Sequence, residues 1–226
     1  MILDVCKIAL CIILFIIIII MAYFIFFRSY NIEAMRLNVG RDIMKIPPKT
    51  RQRVFGDMTK LLYKYLGAKP LWFYYGSLLG TIRNHEIICY DDDLDLCMLN
   101  KDFDFALSAT KKLVSEHPEY TYGFVDWFFI KYVLLIHKET GLPADITFFK
   151  KTRDGSLKRL VIDKVNDPIP YDTIFPLKED YINVLGERIN VLIPGKPDDV
   201  LKKFYGPNYI TPDRKCNEDC SQCWKQ

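Results

Sequence analysis

The sequence predicts an α/β (α+β) domain, in which a mixed sheet is flanked by helices, preceded by one transmembrane helix. Two observations carry this prediction: an uninterrupted apolar run close to the N-terminus, and alternating strand-like and helix-like hydrophobic periods through the rest of the chain. The 226 residues suit one domain plus an appendage. In order, a short tail, a transmembrane anchor, a stalk, the domain and a cysteine-containing tail occupy residues 1–7, 8–27, 28–49, 50–213 and 214–226.

The apolar run from Ile8 to Phe27 has the length and composition of a membrane-spanning helix. It contains no charged residue, and Lys7 and Arg28 flank it. At 1.5 Å per residue, about 20 residues span a hydrocarbon core of about 30 Å. A cleaved signal peptide would have a shorter apolar region, of about 7–15 residues, followed by a small-residue cleavage site. The sequence therefore favours an uncleaved anchor.

Within the domain, apolar residues recur at helical or strand spacing in short segments bounded by Gly or Pro. The predicted helices are Thr50–Leu66, a short helix that Ser77 caps and that runs through Arg83, Lys101–His117 and Pro197–Phe204. The predicted strands are Leu71–Tyr75, Leu94–Leu99, Tyr120–Phe124, Phe128–His137, Ala144–Phe149 and Leu157–Ile162, followed by a hairpin over Tyr181–Val191 that turns at Gly186. Elements in this order predict a layer of helices packed on a sheet.

The most informative segment is an acidic run that opens a predicted strand. On a strand, Asp93 and Asp95 point to one face while Leu94 points to the other, and Asp91 joins the acidic face if the pairing extends that far. Clustered carboxylates repel one another unless a cation neutralises them, and Mg²⁺ binds such oxygen ligands together with phosphate oxygens. A solvated acidic loop is the alternative interpretation. An EF-hand is excluded, because Leu96 stands where that motif requires Gly.

Two further segments carry polar groups beside predicted strands. Gly76 and Ser77 lie between a strand and a helix start, where free N–H groups and a hydroxyl can hold a phosphate. Arg83, near the far end of the same short helix, could reach an anionic group or a carboxylate of the acidic run. Asp145 opens an apolar strand, where Asp is disfavoured and needs a partner. The structural alternatives are a capped turn with a surface Arg and a strand-end cap.

These segments, in this order, resemble the LicD and fukutin/fukutin-related family of the nucleotidyltransferase superfamily. The family's pattern is a strand, a helix that starts Gly-Ser or Gly-Thr and ends in Arg, and an Asp-Asp-Asp-hydrophobic-Asp strand, which corresponds to residues 75–83 and 91–95. The end of the domain is also similar, with Ile-Phe-Pro-Leu at 174–177 and Tyr-Gly-Pro-Asn-Tyr at 205–209. The chain departs from the family just before the acidic run, where Cys-Tyr replaces the frequent Pro-Trp.

The resemblance implies metal-assisted transfer of a phosphate-linked group, such as phosphocholine or ribitol phosphate, from a CDP-activated donor to a glycan. The catalytic and metal-binding residues that it implies, with Mg²⁺ or Mn²⁺ as cofactor, are Asp93, Asp95 and Asp145. The residues that it implies for binding substrate and phosphate are Gly76, Ser77, Arg83 and Asp91. Either Asp145 or Asp91 would accept the proton of the acceptor hydroxyl. A Golgi glycosyltransferase using a nucleotide-sugar and a non-catalytic membrane scaffold of the same fold stay open as alternatives.

Charge and resemblance disagree about the side of the membrane on which the domain lies. Four basic residues follow the anchor within residues 28–45, whereas only Lys7 and the N-terminal amine precede it, and the positive-inside rule then predicts a cytoplasmic domain. Animal members of the resembled family lie in the Golgi behind an N-terminal anchor. We adopt the prediction of a single-pass Golgi or endoplasmic reticulum protein with a lumenal domain, because glycans are made in the secretory pathway.

The other residue types point to no further chemistry. Cys216, Cys220 and Cys223 have no neighbouring fourth ligand for zinc, so a disulfide is favoured for them in an oxidising lumen. The three histidines are isolated and are interpreted as structural or surface residues. The net charge is only +3 and the basic residues are dispersed, which argues against nucleic acid as a partner.

Overall fold

A computed structural model of the chain describes residues 12–19, 45–127, 130–161 and 168–211. Within the domain, the described helices are α1 Pro48–Leu66, α2 Tyr75–Asn84, α3 Phe103–Glu116, α4 Tyr171–Ile174 and α5 Pro197–Tyr205. The described strands are β1 Trp72–Phe73, β2 Leu94–Leu99, β3 Tyr120–Trp127, β4 Ile130–His137, β5 Pro143–Lys151, β6 Leu157–Arg159, β7 Lys178–Val184 and β8 Glu187–Ile193.

The first six strands form one mixed sheet. Its order is β1-β2-β5-β4-β3, and β6 pairs with β5 beside this path. Strands β2 and β5 are parallel, whereas the other pairs in the sheet are antiparallel. The chain leaves β2 through α3 and the β3–β4 hairpin before it returns as β5, so two distant acidic segments become neighbours. Strands β7 and β8 form a separate two-stranded sheet.

Helix α3 covers one face of the large sheet. Leu96 on β2 and Phe148 on β5 are fully buried, and the ring of Phe103 on α3 lies 5.0 Å from that of Phe148. Strand side chains alternate between the two faces. Asp95 is one position from Leu96 and Asp145 is three positions from Phe148, so both aspartates point to the opposite face of the sheet. The carboxylates share this second face with buried residues such as Cys97 and Phe149.

The predicted elements of the domain are present, and several have different boundaries. Strand β2 has the predicted bounds. The prediction that Ser77 caps the short helix is wrong: α2 begins at Tyr75, its N-cap residue is Tyr74, and no side chain makes a capping hydrogen bond. The preceding strand is shorter than predicted, because the chain turns into α2 at Tyr75, which has a φ of 40°.

The hairpin and edge strands also differ in length from the prediction. Strand β3 continues to Trp127, beyond the predicted end at Phe124, because it pairs with β4 over its whole described length. The predicted strand start at Phe128 and the predicted strand end at Ile162 lie outside the described residues. Strand β6 ends at Arg159, where its ladder with β5 stops.

Little of the N-terminal region can be compared with the predicted anchor. Residues 12–19 are helical, and the remaining residues of the predicted 8–27 anchor lie outside the described ranges. Among the residues that the structure describes, no helix combines the length and the apolar character that crossing a membrane requires. The tails 1–7 and 214–226 and most of the stalk are likewise outside the described ranges.

Candidate active site

The carboxylates of two parallel strands lie side by side on the face of the sheet opposite α3. Asp95 on β2 and Asp145 on β5 are register partners, so they face the same way on strands about 4.8 Å apart. Both side chains are half-buried. The sequence predicted that both point to one site, and this register places them next to each other.

The start of α2 is held against β2 by two hydrogen bonds to Asp95. The Gly76 N–H donates to Oδ2 of Asp95 at 3.0 Å, and the Asp95 N–H donates to Oγ of Ser77 at 2.8 Å. Ser77 is only 4% exposed, so its hydroxyl positions β2 rather than facing an open phosphate site. A Cβ at Gly76 would lie 2.3 Å from Oδ2 of Asp91, which explains why glycine is needed here.

Tyr75 enters α2 with a backbone conformation that is unfavourable for a residue with a side chain. Its φ of 40° lies in the left-handed region, which costs about 1–2 kcal/mol for an L-residue. Two contacts oppose this cost: the Phe204 ring lies 4.6 Å from the Tyr75 ring, and the Arg159 guanidinium lies 4.2 Å above it. This strained residue directly precedes Gly76, as is common where a backbone is fixed beside a functional site.

Burial and mutual repulsion raise the pKa values of four carboxyl groups in this cluster. Burial, followed by repulsion from Asp93 and Asp92, raises the pKa of Asp91 to about 8 and that of Asp145 to about 7. Burial and Asp92 raise the pKa of Asp93 to about 6. The pKa of Asp95 lies well above its usual range, through burial and then repulsion from Asp93, Asp91 and Asp145. Such a cluster favours either protons or a cation.

The donor set fits a hard divalent cation. Among the described residues, the acidic side chains whose ligand atoms all lie within 4.8 Å of one another are Asp91, Asp92 and Asp93. The predicted set was instead Asp93, Asp95 and Asp145. In the structure, Asp95 and Asp145 lie within electrostatic range of the Asp91–Asp93 cluster and are repelled by its carboxylates. All of these groups are carboxylates, the ligand type that Mg²⁺ and Mn²⁺ prefer over softer donors.

The Arg83 side chain contacts the segment that follows α5. Its Nε donates to the Tyr209 carbonyl at 2.6 Å, its Nη2 donates to the same carbonyl, and Nη2 also lies 3.5 Å from the Thr211 carbonyl. The prediction had left open an anionic ligand or a carboxylate of the acidic run, and the described contacts are with these backbone carbonyls. Arg83 therefore fastens the segment that follows α5 to the helix that positions Asp95.

Tyr205, at the end of α5, is electrostatically linked to the acidic cluster. Burial and then the carboxylates of Asp95, Asp91 and Asp93 raise its pKa, whereas Arg83 opposes the rise. Its side chain is still 42% exposed. The phenol thus lies within electrostatic range of the cluster and stays accessible, which is the placement of a group that can meet a substrate.

Sequence reasoning missed Arg51, which faces the acidic run from α1. Arg51 is 3% exposed, and Asp91 and Asp92 both raise its pKa against the larger lowering by burial. A signal was present in the sequence, because Arg51 continues the apolar stripe of Val54 and Met58 at helical spacing. A charged residue on a buried stripe needs a compensating partner.

Cys89, two residues before the acidic run, is disulfide-bonded. Cys97, on the same strand as Asp95, is a free and buried thiol. A disulfide at Cys89 constrains the loop that leads into the carboxylates.

A mixed sheet whose adjacent parallel strands present carboxylates beside a Gly-Ser helix start defines a domain of the nucleotidyltransferase type. The family model for the LicD/FKTN/FKRP nucleotidyltransferase domain matches residues 69–188, and the chain belongs to this family. Membership places the chain among transferases of nucleotide-related groups, as its motifs predicted.

Solved structures that are similar to the chain include the following two. A lincosamide antibiotic adenylyltransferase, LnuA, in its lincomycin-bound form, shares 16% identity with a TM-score of 0.38, over 70% of this chain and 84% of the other. A STING-associated CdnE c-di-GMP synthase from Capnocytophaga granulosa shares 17% identity with a TM-score of 0.29, over 54% of this chain and 40% of the other. These similarities concern the fold alone. No match to a curated protein sequence was found.

Proposed function

We propose that the chain is a membrane-anchored, metal-dependent phosphotransferase that moves a phospho-alcohol group from a CDP-activated donor to a glycan acceptor. The observation that carries this proposal is the register pairing of Asp95 with Asp145, beside Asp93 and against the start of α2. A diphosphate donor brings concentrated negative charge to these carboxylates, so donor and protein would repel each other without a cation. Family membership supports the nucleotide-linked donor.

In this proposal Asp93, Asp95 and Asp145 hold Mg²⁺ or Mn²⁺. When bound, the ion would neutralise the charge of the donor diphosphate. Gly76 and Ser77 keep Asp95 in place through the two hydrogen bonds described above. The positive end of the α2 dipole lies at this first turn and favours a phosphate nearby.

The reaction is a displacement at phosphorus. The acceptor hydroxyl forms a new P–O bond, the bond from that phosphorus to the bridging diphosphate oxygen breaks, and CMP leaves with the bridging oxygen. The hydroxyl proton passes to a carboxylate of the cluster. Asp91 and Asp145 are the candidates for this role, because both carboxylates lie within electrostatic range of Asp93.

Two features, the apolar run and Cys89, support a proposed location in the secretory pathway. The apolar run over residues 8–27 is long enough to span a bilayer. A disulfide at Cys89 favours an oxidising compartment, which supports a domain in the Golgi or endoplasmic reticulum lumen. The substitution Gly40→Ser creates a sequon at Asn38 in the stalk. We expect that site to be glycosylated in cells. If instead only a sequon tag placed before residue 1 is glycosylated, the domain lies in the cytoplasm and the proposed orientation is wrong.

The donor is tested with the full-length chain in detergent micelles. The protein is incubated with CDP-choline, CDP-ribitol and UDP-sugars, and the nucleotide products are identified by mass spectrometry. The proposal predicts CMP from a CDP-alcohol. UDP released from a nucleotide-sugar would instead identify a glycosyltransferase, and no product from any donor, with a glycan acceptor present, would favour the non-catalytic scaffold.

A further inference from the structure

A second cavity opens at the opposite end of the two strands that carry the carboxylates. It has a volume of about 380 Å³ and is lined by Leu99, Asn100, Lys101, Phe149, Lys150, Lys151, Leu157 and Tyr171. Ligand pockets in proteins range from about 300 to 1,000 Å³, so this cavity suits a small molecule. Leu99 lies four residues beyond Asp95 on β2, which places the cavity about 13 Å from that carboxylate at 3.3 Å per residue.

The lining combines an apolar floor with a cationic rim. Phe149 and Leu157 are buried and form the floor. Lys101 and Lys151 lie at exposed positions around it, and the lining residues include no carboxylate. The side chain of Lys150 points to the other face of β5, because side chains alternate along a strand. The nearby Asp172, which follows Tyr171, is engaged by Lys196 at 2.6 Å. The cavity therefore attracts an anion.

Phe149 and Tyr171 are the aromatic residues that line the cavity, and both rings contact other groups. The Tyr171 ring stacks on Phe175 with centroids 4.8 Å apart, and Lys151 Nζ lies over the same ring at 4.9 Å. Tyr171 is 41% exposed and adds a hydroxyl to the lining. Together with the carboxamide of Asn100, these groups suit a ligand with hydroxyls.

We propose that this cavity binds a phosphorylated saccharide, with the phosphate between Lys101 and Lys151 and the sugar hydroxyls against Asn100 and Tyr171. Ammonium groups are strong donors to phosphate oxygens, and the apolar floor accommodates the C–H surface of the sugar. The site is separate from the carboxylate cluster, so its binding stands whether or not the proposed transfer takes place.

The test is isothermal titration calorimetry on the full-length chain in detergent micelles. Glucose 6-phosphate is the probe, and glucose, inorganic phosphate and CMP are compared with it. The double substitution Lys101→Gln/Lys151→Gln is expected to weaken glucose 6-phosphate binding by about ten-fold or more, because charge-assisted hydrogen bonds are lost. Lys64→Gln/Lys112→Gln removes the same charge from α1 and α3 and is expected to leave the affinity unchanged.

A third variant tests whether binding at this cavity is independent of the carboxylate cluster. Asp93→Asn is expected to bind glucose 6-phosphate as the wild type does. Loss of binding in Asp93→Asn, equal loss in the control double variant, or the absence of saturable binding to the wild type would each overturn the proposal. Inorganic phosphate or CMP binding as tightly as glucose 6-phosphate would also overturn it, since the saccharide would then contribute nothing.

Discussion

Replacing Asp145 by Asn removes one half-buried carboxylate from the cluster while keeping its shape. In the metal-free protein, burial and two neighbouring carboxylates hold the pKa of Asp145 at about 7, against an ordinary 3.8. Ionisation of Asp145 therefore destabilises the folded state relative to the unfolded chain. We expect Asp145→Asn to be more stable than the wild type when no divalent cation is present.

The magnitude follows from the difference between the folded and unfolded pKa values. About three pH units separate about 7 from 3.8, and each unit corresponds to about 1.36 kcal/mol, which gives an upper limit of about 4 kcal/mol. Relaxation and water around a half-buried group reduce this limit, so we expect about 2 kcal/mol. Because the folded pKa is raised, the cost is complete above about pH 7 and vanishes as the pH falls towards about 4.

Urea unfolding of the full-length chain in detergent with EDTA measures this difference. The fluorescence of Trp72, which is fully buried, reports on the core. The stability gain of Asp145→Asn is expected to be largest near pH 8 and small near pH 4, and Mg²⁺ is expected to reduce or reverse it. Asp104→Asn, at an exposed position on α3, is the matched control without this pH dependence. A variant that is less stable than the wild type at every pH would refute the reasoning.

Two further substitutions probe the supports of the site. Arg83→Ala removes the hydrogen bonds to the Tyr209 and Thr211 carbonyls, so limited proteolysis is expected to cut faster within residues 206–211. The control Arg53→Ala, on the exposed side of α1, is expected to leave the cutting rate unchanged. Equal cutting rates in the two variants would contradict this role of Arg83. Gly76→Ala places a Cβ 2.3 Å from the flexible end of the Asp91 side chain, which must then move. We expect an intact fold and a loss of turnover of about 10²-fold, measured beside the surface control Ser108→Ala. Unchanged turnover would show that the position of Asp91 is unimportant.

Local periodicity was sufficient to predict most elements of the domain. Strand β2 has its predicted bounds, because the alternation of Leu94 and Leu96 with Asp95 is a clear signal with period two. The hairpin between β7 and β8 turns at Gly186, whose φ of 89° requires the freedom of glycine. These features depend on residues that are close in sequence.

The contacts that complete the site depend on tertiary structure and could not be predicted in the same way. The sequence placed Asp145 on a later strand, but its pairing with Asp95 depends on the path of α3, β3 and β4. The roles of Ser77 and Arg83 follow from partners 18 and 126 residues away. The acidic neighbours of Arg51, Asp91 and Asp92, are also distant in sequence, although the place of Arg51 on an apolar stripe was visible.

The central claim is that the carboxylate cluster transfers a phospho-alcohol group only with a divalent cation. CMP release from CDP-choline or CDP-ribitol by the full-length chain, with a glycan acceptor, tests it most directly. Release is expected with Mg²⁺ or Mn²⁺, and it is expected to stop with chelator or in Asp93→Asn and Asp95→Asn, while Asp104→Asn stays active. CMP release that is indifferent to chelator, or that is unchanged in Asp93→Asn, would contradict the proposed mechanism.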